Sequence, residues 1–204
     1  MAVAPTLAVM DAGRMCWQKH SSLRASLSIL NAGISGNRIL HDNPEWFGRR
    51  AKVRMDWDVL EQRGVSHVIW LEGINDLMHP GAFAPVSETV TAQQIIGAFT
   101  EGIARFHQHG IQVALGTILP FKGWVAYSEE AENKRQQINH WIRTSGVPDH
   151  VLDFDRMVQD PSDPQKVLEV YDIGDHLHPN NRGFLKMAEG IDLGFFTQVA
   201  ADLA

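Results

Sequence analysis

Ser66-His67-Val68-Ile69-Trp70-Leu71-Glu72-Gly73-Ile74-Asn75-Asp76 is the stretch whose reading decides the fold. From His67 to Leu71 no polar residue alternates with the apolar ones. A strand with one wet face would alternate. A run that is apolar on both faces suits a strand of a parallel sheet covered by helices above and below. The run then stops at Glu72-Gly73-Ile74-Asn75-Asp76, which reads as a polar, Gly-containing loop.

The same unit recurs on either side. Upstream, Thr6 to Met10 is a short apolar strand candidate, Arg14 to Ser26 is a helix candidate, and Ser28 to Leu30 is a second short strand. That strand runs into Asn31-Ala32-Gly33-Ile34-Ser35-Gly36-Asn37, a loop with unusual backbone demands. Residues 53–63 suggest a short helix, and 78–90 a loop. Downstream, Thr91 and Gln94 form a capping box for a helix with Ile95, Phe99, Ile103 and Phe106 on one stripe, closed by Gly110. Ile111 to Leu115 is the next strand, followed by a helix over about 128–145 and a short strand at Val151 to Phe154. After an irregular stretch with Pro161 and Pro164, a last helix carries Phe184, Ala188, Ile191, Phe195 and Val199 toward the C-terminus. Alternating strands and helices predict a single three-layer α/β/α domain over residues 1–204 with a parallel sheet. The loops 31–37, 72–76 and 116–120 then fall at the carboxyl ends of the strands, where such sheets bind ligands.

Composition narrows the class of partner. The 204 residues suit one domain, and 44% hydrophobic with 21% charged residues is ordinary for a soluble globular chain. A net charge of −6 with no basic run argues against nucleic acid. A single cysteine, Cys16, allows no internal disulfide and fits a reducing compartment. The N-terminus has neither the basic start nor the long apolar core of a signal peptide, and no apolar run reaches membrane-span length. The expectation is a soluble cytoplasmic protein.

The chemistry gathers at Asp172-Ile-Gly-Asp175-His176-Leu-His178-Pro179-Asn-Asn-Arg-Gly183. Pro179 cannot donate a backbone hydrogen bond and biases His178 away from helical geometry, so the imidazole is presented on a loop. Asp175, three residues earlier, can fold back and take the Nδ1 proton, leaving Nε2 as a base. A polar turn that caps the last helix explains the same residues. Backbone N–H groups at the glycines of loop 31–37 and the amide of Asn75 are donor types that stabilise an oxyanion. Taken singly, each is also what a packing turn or a turn asparagine would show. His176, His178 and Asp175 lack a recognisable third His or Cys ligand at fixed spacing, so no metal is expected.

Taken together in this order, NAGISGN (31–37), EGIND (72–76) and DHLHP (175–179) resemble the second, third and fifth conserved blocks of the SGNH, or GDSL-type, hydrolases, over roughly residues 14–190. The resemblance implies a flavodoxin-like α/β esterase with a Ser–His–Asp triad and no metal or cofactor. It implies that Gly36 supplies an oxyanion-hole N–H and Asn75 the side-chain donor. It further implies that His178 is the general base and Asp175 its orienting carboxylate, with Asp76 holding the loop. The expected partner is a small-molecule ester.

The family's first block, Gly-Asp-Ser with the nucleophile, is absent from this chain. The nearest match is Thr6 to Gly13, in which Asp11 matches the block's Asp and Ala12 stands at the Ser. The other alternative is that residues 1–13 are unrelated and the first strand is missing. That would leave an unpaired sheet edge, which a homo-oligomer would cover. Ser21, Ser22, Ser35 and Cys16 are the alternative nucleophiles weighed, and none is assigned. Two functions follow: a hydrolase of small acyl esters, or a non-catalytic relative that binds an ester, glycan or acyl ligand.

Overall fold

Five strands lie side by side and all parallel: β1 (Thr6–Asp11), β2 (Ser28–Asn31), β3 (Val65–Leu71), β4 (Gln112–Gly116) and β5 (His150–Leu152). Their order is β2-β1-β3-β4-β5, the flavodoxin-like order with its switch point beside β1. The computed structural model describes residues 28–196 and the backbone of residues 6–11. Residues 6–11 are therefore a sheet strand, paired with Ser28–Asn31 on one side and Val65–Leu71 on the other. The alternative of a missing first strand is excluded. The helix expected over Arg14 to Ser26 lies outside the described residues.

The side chains of β3 show why it lacks alternation. Val68 and Trp70 enter one core, with Ile69 and Leu71 in another across the sheet. The first core is covered by α1 (Ala51–Met55), α3 (Ala92–Gln108) and α4 (Glu129–Thr144). The second is covered by α5 (Phe154–Val158), α6 (Asn181–Glu189) and the segment reaching Phe196. Helices thus cover both faces, as the apolar run of β3 requires.

Local signals place the longer helices. The Thr91 hydroxyl accepts from the Gln94 N–H at 3.2 Å, and the Gln94 side chain accepts from the Thr91 N–H at 2.8 Å. Ser128 caps α4 through the Ala131 N–H at 3.1 Å, and Glu129, Glu130 and Glu132 fill its first turn. Four expectations need correction. The helix expected at 53–63 is α1 followed by a π-helical turn, Asp56–Leu60. Residues 74–78, expected partly as loop, are a short helix, α2 (Ile74–Met78), entered through Gly73 at φ 109°. The irregular stretch after β5 holds α5 and a small hairpin of β6 (Gln159–Asp160) and β7 (Asp163–Val167). The last helix stops at Gly190, so Ile191 and Phe195 pack from beyond its end, and Val199 lies outside the described residues.

The loop after β2 is fastened to the end of β3 by buried charges. Arg54, 2% exposed, donates to Ala32 O, to Asn37 Oδ1 and to the carboxylates of Asp58 and Glu72. Asp76, on the first turn of α2, accepts the Ile39 N–H at 2.8 Å and the Leu40 N–H at 3.0 Å. Burial pushes its carboxyl up to about 7, against those two donors. Asp76 therefore holds the loop, as the sequence suggests.

Two glycines on α3 should respond to substitution with opposite signs. A methyl at Gly102 would lie 2.6 Å from the Trp70 ring, whereas nothing lies within 4 Å of one at Gly97. Gly97→Ala should raise stability by up to about 1 kcal/mol through helix propensity. Gly102→Ala should lower it by about 1–3 kcal/mol, because Trp70 is fully buried against Phe99 and Phe106 and cannot yield. Urea unfolding of both variants is the measurement, and equal signs would refute the packing argument. Asp76 makes a second test. A carboxyl raised on folding stabilises fully below its unfolded value near 4, and that stabilisation is lost as pH rises through about 7. Asp76→Asn should cost about 1–3 kcal/mol, since its amide nitrogen cannot accept a backbone N–H. It should also flatten the fall in stability between pH 4 and pH 8. Glu72, raised mainly by burial, has the same sign, so the comparison is between protein and variant at each pH.

Candidate functional site

The loop between β7 and α6 is closed at its base. The Ile173 N–H reaches His178 O at 3.1 Å, and the Asn180 N–H reaches Tyr171 O at 2.6 Å. The Asn180 side chain works in both directions. Its Nδ2 donates to Val170 O and Asp172 O, while its Oδ1 caps α6 by accepting the Arg182 and Gly183 N–H groups. Inside this closed loop Asp175 Oδ1 accepts the N–H groups of Leu177 and His178, and Oδ2 meets His178 Nδ1 at 2.7 Å. Burial pushes the Asp175 carboxyl up, but these hydrogen bonds outweigh it and hold it below the usual carboxylate value. With Nδ1 engaged, Nε2 of a half-exposed imidazole is left with acceptor character. Among the described residues nothing hydrogen-bonds Nε2.

Asn75 sits on α2 rather than in a loop, and it is buried. Its Nδ2 donates to Asn37 O at 2.9 Å, which leaves one amide hydrogen without a partner among the described residues. Gly36 precedes Asn37 and adopts φ 74°. A side chain there would collide with Phe47, whose Cδ1 would lie 2.1 Å from the added carbon. No hydrogen bond among the described residues uses the Gly36 N–H. Asn37, which composition and spacing did not single out, is the adapter. Its Nδ2 donates to Phe47 O at 2.7 Å and to Arg49 O at 2.8 Å, and Oδ1 accepts from Arg54.

Gly36 and Asn75 are thus joined through Asn37. The His178 loop meets α2 through side chains. Leu177 shares a buried cluster with Met78 and Phe121, against which Ile74, Leu77 and Trp124 pack. Trp124 stands edge-on to His178, with ring centroids 6.1 Å apart. Its buried Nε1–H has no partner among the described residues. A base paired to a carboxylate, a side-chain amide hydrogen and a glycine N–H at one rim of a parallel sheet are groups that can take a proton and bind a developing oxyanion.

Of the alternative nucleophiles, Ser35 is exposed and makes no hydrogen bond to His178. Cys16, Ser21 and Ser22 lie outside the described residues, as does Ala12, which directly follows the last residue of β1. Sequence reasoning missed Arg54 and Asn37, whose partners are scattered between residues 32 and 75. It also missed a second pair, Asp172 with His176, although that spacing was as visible as the one between Asp175 and His178. Among the described residues no helix is long and apolar enough to cross a membrane.

Solved structures of the same architecture exist. An acetylxylan esterase, Axe2 of Geobacillus stearothermophilus, superposes with a TM-score of 0.68 at 14% identity, covering 97% of each chain. A catalytic mutant of that esterase, with a serine replaced by alanine, gives 0.65 at 15% identity and the same coverage. A GDSL-like lipase of Bacteroides thetaiotaomicron gives 0.64 at 15% identity, covering 98% of this chain and 89% of its own. At such identities the likeness speaks to the fold. No curated protein matches the sequence. Residues 13–184 match the GDSL-like lipase/acylhydrolase family, a span that takes in the Gly36 loop, Asn75, Asp175 and His178, and the chain belongs to that family.

Proposed function

We propose that the protein hydrolyses carboxylic esters of small acyl groups, with His178 as general base, Asp175 as its orienting carboxylate, and Gly36 N–H and the Asn75 amide as oxyanion donors. In this scheme the nucleophile attacks the ester carbonyl while His178 Nε2 takes its proton. The carbonyl oxygen, now an anion, is stabilised by the two donors. The tetrahedral centre then collapses, and the alcohol leaves with the proton from Nε2. Water repeats the sequence to release the acid. The observation that carries the proposal is the 2.7 Å contact between Asp175 Oδ2 and His178 Nδ1, with two further backbone N–H groups fixing the carboxylate. Membership of an acylhydrolase family supports ester hydrolysis in general.

The second proposal is a binder in which the nucleophile has been lost. Its support is specific. β1 ends at Asp11, between β2 and β3, and the next residue is Ala12. A strand end in a doubly wound sheet is brought to the ligand-binding rim whatever residue follows it.

The two are separated by experiment. Asn75→Ala should lower turnover of a short-chain aryl ester by about 10²–10³ while His178→Ala abolishes it, both with near-native secondary structure. Equal activity in the Asn75 variant would remove that residue from the mechanism. Ala12→Ser should create or raise esterase activity and make it sensitive to a fluorophosphonate. Weak inhibitor-resistant turnover in the unmodified protein would fit the remaining donors, since such a half-site can give about 10³–10⁴ over water. A fluorophosphonate adduct on the unmodified protein, located by mass spectrometry, would instead name another nucleophile and refute the alignment of Ala12.

A further inference from the structure

The His178 loop contains two Asp–His pairs built alike. Asp172 Oδ1 accepts the Gly174 and His176 N–H groups, and Oδ2 meets His176 Nδ1 at 2.8 Å. Asp175 treats Leu177 and His178 in the same way, at 2.7 Å from its own imidazole. The scheme proposed above uses only the second pair.

The backbone at His176 suits glycine better than histidine. Its φ of 67° makes it the one described non-glycine residue in the left-handed region, a conformation that side chains adopt at a steric cost. The Asp172 side chain is almost fully buried, yet the imidazole that it holds is 57% exposed. A carboxylate on Nδ1 fixes the proton there, so the neutral ring presents Nε2 as an acceptor. That atom has no hydrogen-bond partner among the described residues.

Its surroundings connect it to His178 through one short segment, residues 123–124. The ring rests on Gly123, where an added carbon would lie 2.8 Å from its Cγ. The next residue, Trp124, stands edge-on to His178. In the scheme above the departing alcohol takes its proton from His178, so the alcohol lies against that imidazole, away from the donors that bind the acyl oxygen. His176 lies two residues from that imidazole on the same loop, with its ring exposed.

We infer that His176, fixed by Asp172, binds the alcohol part of the ester through Nε2 and selects alcohols that carry a further hydroxyl, such as glycerol or a sugar, over plain alkyl alcohols. The inference deepens the hydrolase proposal and rests on it for the side of the site involved. An acceptor rewards a ligand that brings an O–H donor. It offers nothing to an alkyl group, which would leave Nε2 desolvated without a partner.

The test uses two esters with one acyl group, glycerol monoacetate and ethyl acetate. Each is titrated into the full chain while the histidine ring nitrogens are followed by NMR. The His176 signals are assigned by their loss in His176→Gly, a substitution that suits the left-handed backbone. Glycerol monoacetate should shift His176 Nε2 and saturate at a concentration about three- to tenfold lower than ethyl acetate, as one hydrogen bond allows. In His176→Gly that ratio should fall to about one. A ratio near one in the unmodified protein, an unchanged ratio in the variant, or no shift from either ester overturns the inference. The low-field Nδ1 proton of His178 reports whether the loop survives. If it is lost in His176→Gly, His176→Asn, which also tolerates positive φ, replaces it. Loss in both variants would make the role of His176 structural and sink the inference. Turnover of the two esters is recorded separately. Preference in binding without turnover contradicts the hydrolase proposal alone, and turnover without preference contradicts this inference alone.

Discussion

The buried guanidinium of Arg54 is the constraint on which the rim of the sheet depends. A desolvated cation is tolerated only when its donors are taken up, and Arg54 has two carboxylates and two further oxygens to receive them. Glu72, fully buried at the end of β3, is pushed up by burial and drawn back by Arg54 and by the Trp70 indole N–H. Removing one partner of such a pair typically leaves a bare buried charge at about 3–5 kcal/mol. The loop after β2 and the end of β3 are thereby tied together by an interaction too costly to break in part.

This tie crosses over β1, because the sheet order is β2-β1-β3. From Arg54 the connection runs to Asn37 Oδ1, through the Asn37 backbone oxygen, to the Asn75 amide. The other hydrogen bonds of Asn37 seat the segment 47–49, and Phe47 in turn covers the face of Gly36 that a side chain would need. The two proposed donors are therefore set by one hydrogen-bonded chain, which joins the loop after β2 to α2 on either side of β1 in the sheet order.

How much of this was legible in the sequence follows from how far apart the partners lie. The parallel sheet was legible because β3 carries its evidence within seven residues, Val68 and Trp70 facing one core and Ile69 and Leu71 the other. The Asp175–His178 pair was legible because a three-residue separation and a following proline allow it locally, and the order of the three motifs then favours it over a capping turn. Arg54 was not, since it lies on a short helix where an arginine reads as an exposed residue, and its acceptors lie at positions 32, 37, 58 and 72. The end of the last helix was misjudged because Ile191 and Phe195 keep helical spacing while packing from an irregular segment. The sequence suggests a loop at Asn75 because Gly73 reads as a breaker, whereas at φ 109° it turns the chain directly into α2. The small hairpin at 159–167 was missed since its strands are too short to show a period, and Pro164 lies in one of them.

The two halves of the candidate site are fixed by different physics. The imidazole half is local: within residues 170–183, Asp175, Asn180 and Asp172 satisfy the loop's polar groups without help from the sheet. The donor half is non-local, built on contacts that span 37 or 38 residues between the Gly36 loop and α2. The apolar cluster around Leu177 and Met78 links them. None of these interactions uses the residue that follows Asp11. The imidazole pair and the proposed donors thus take their shape from interactions within the described residues, and the two proposed functions differ in the nucleophile alone.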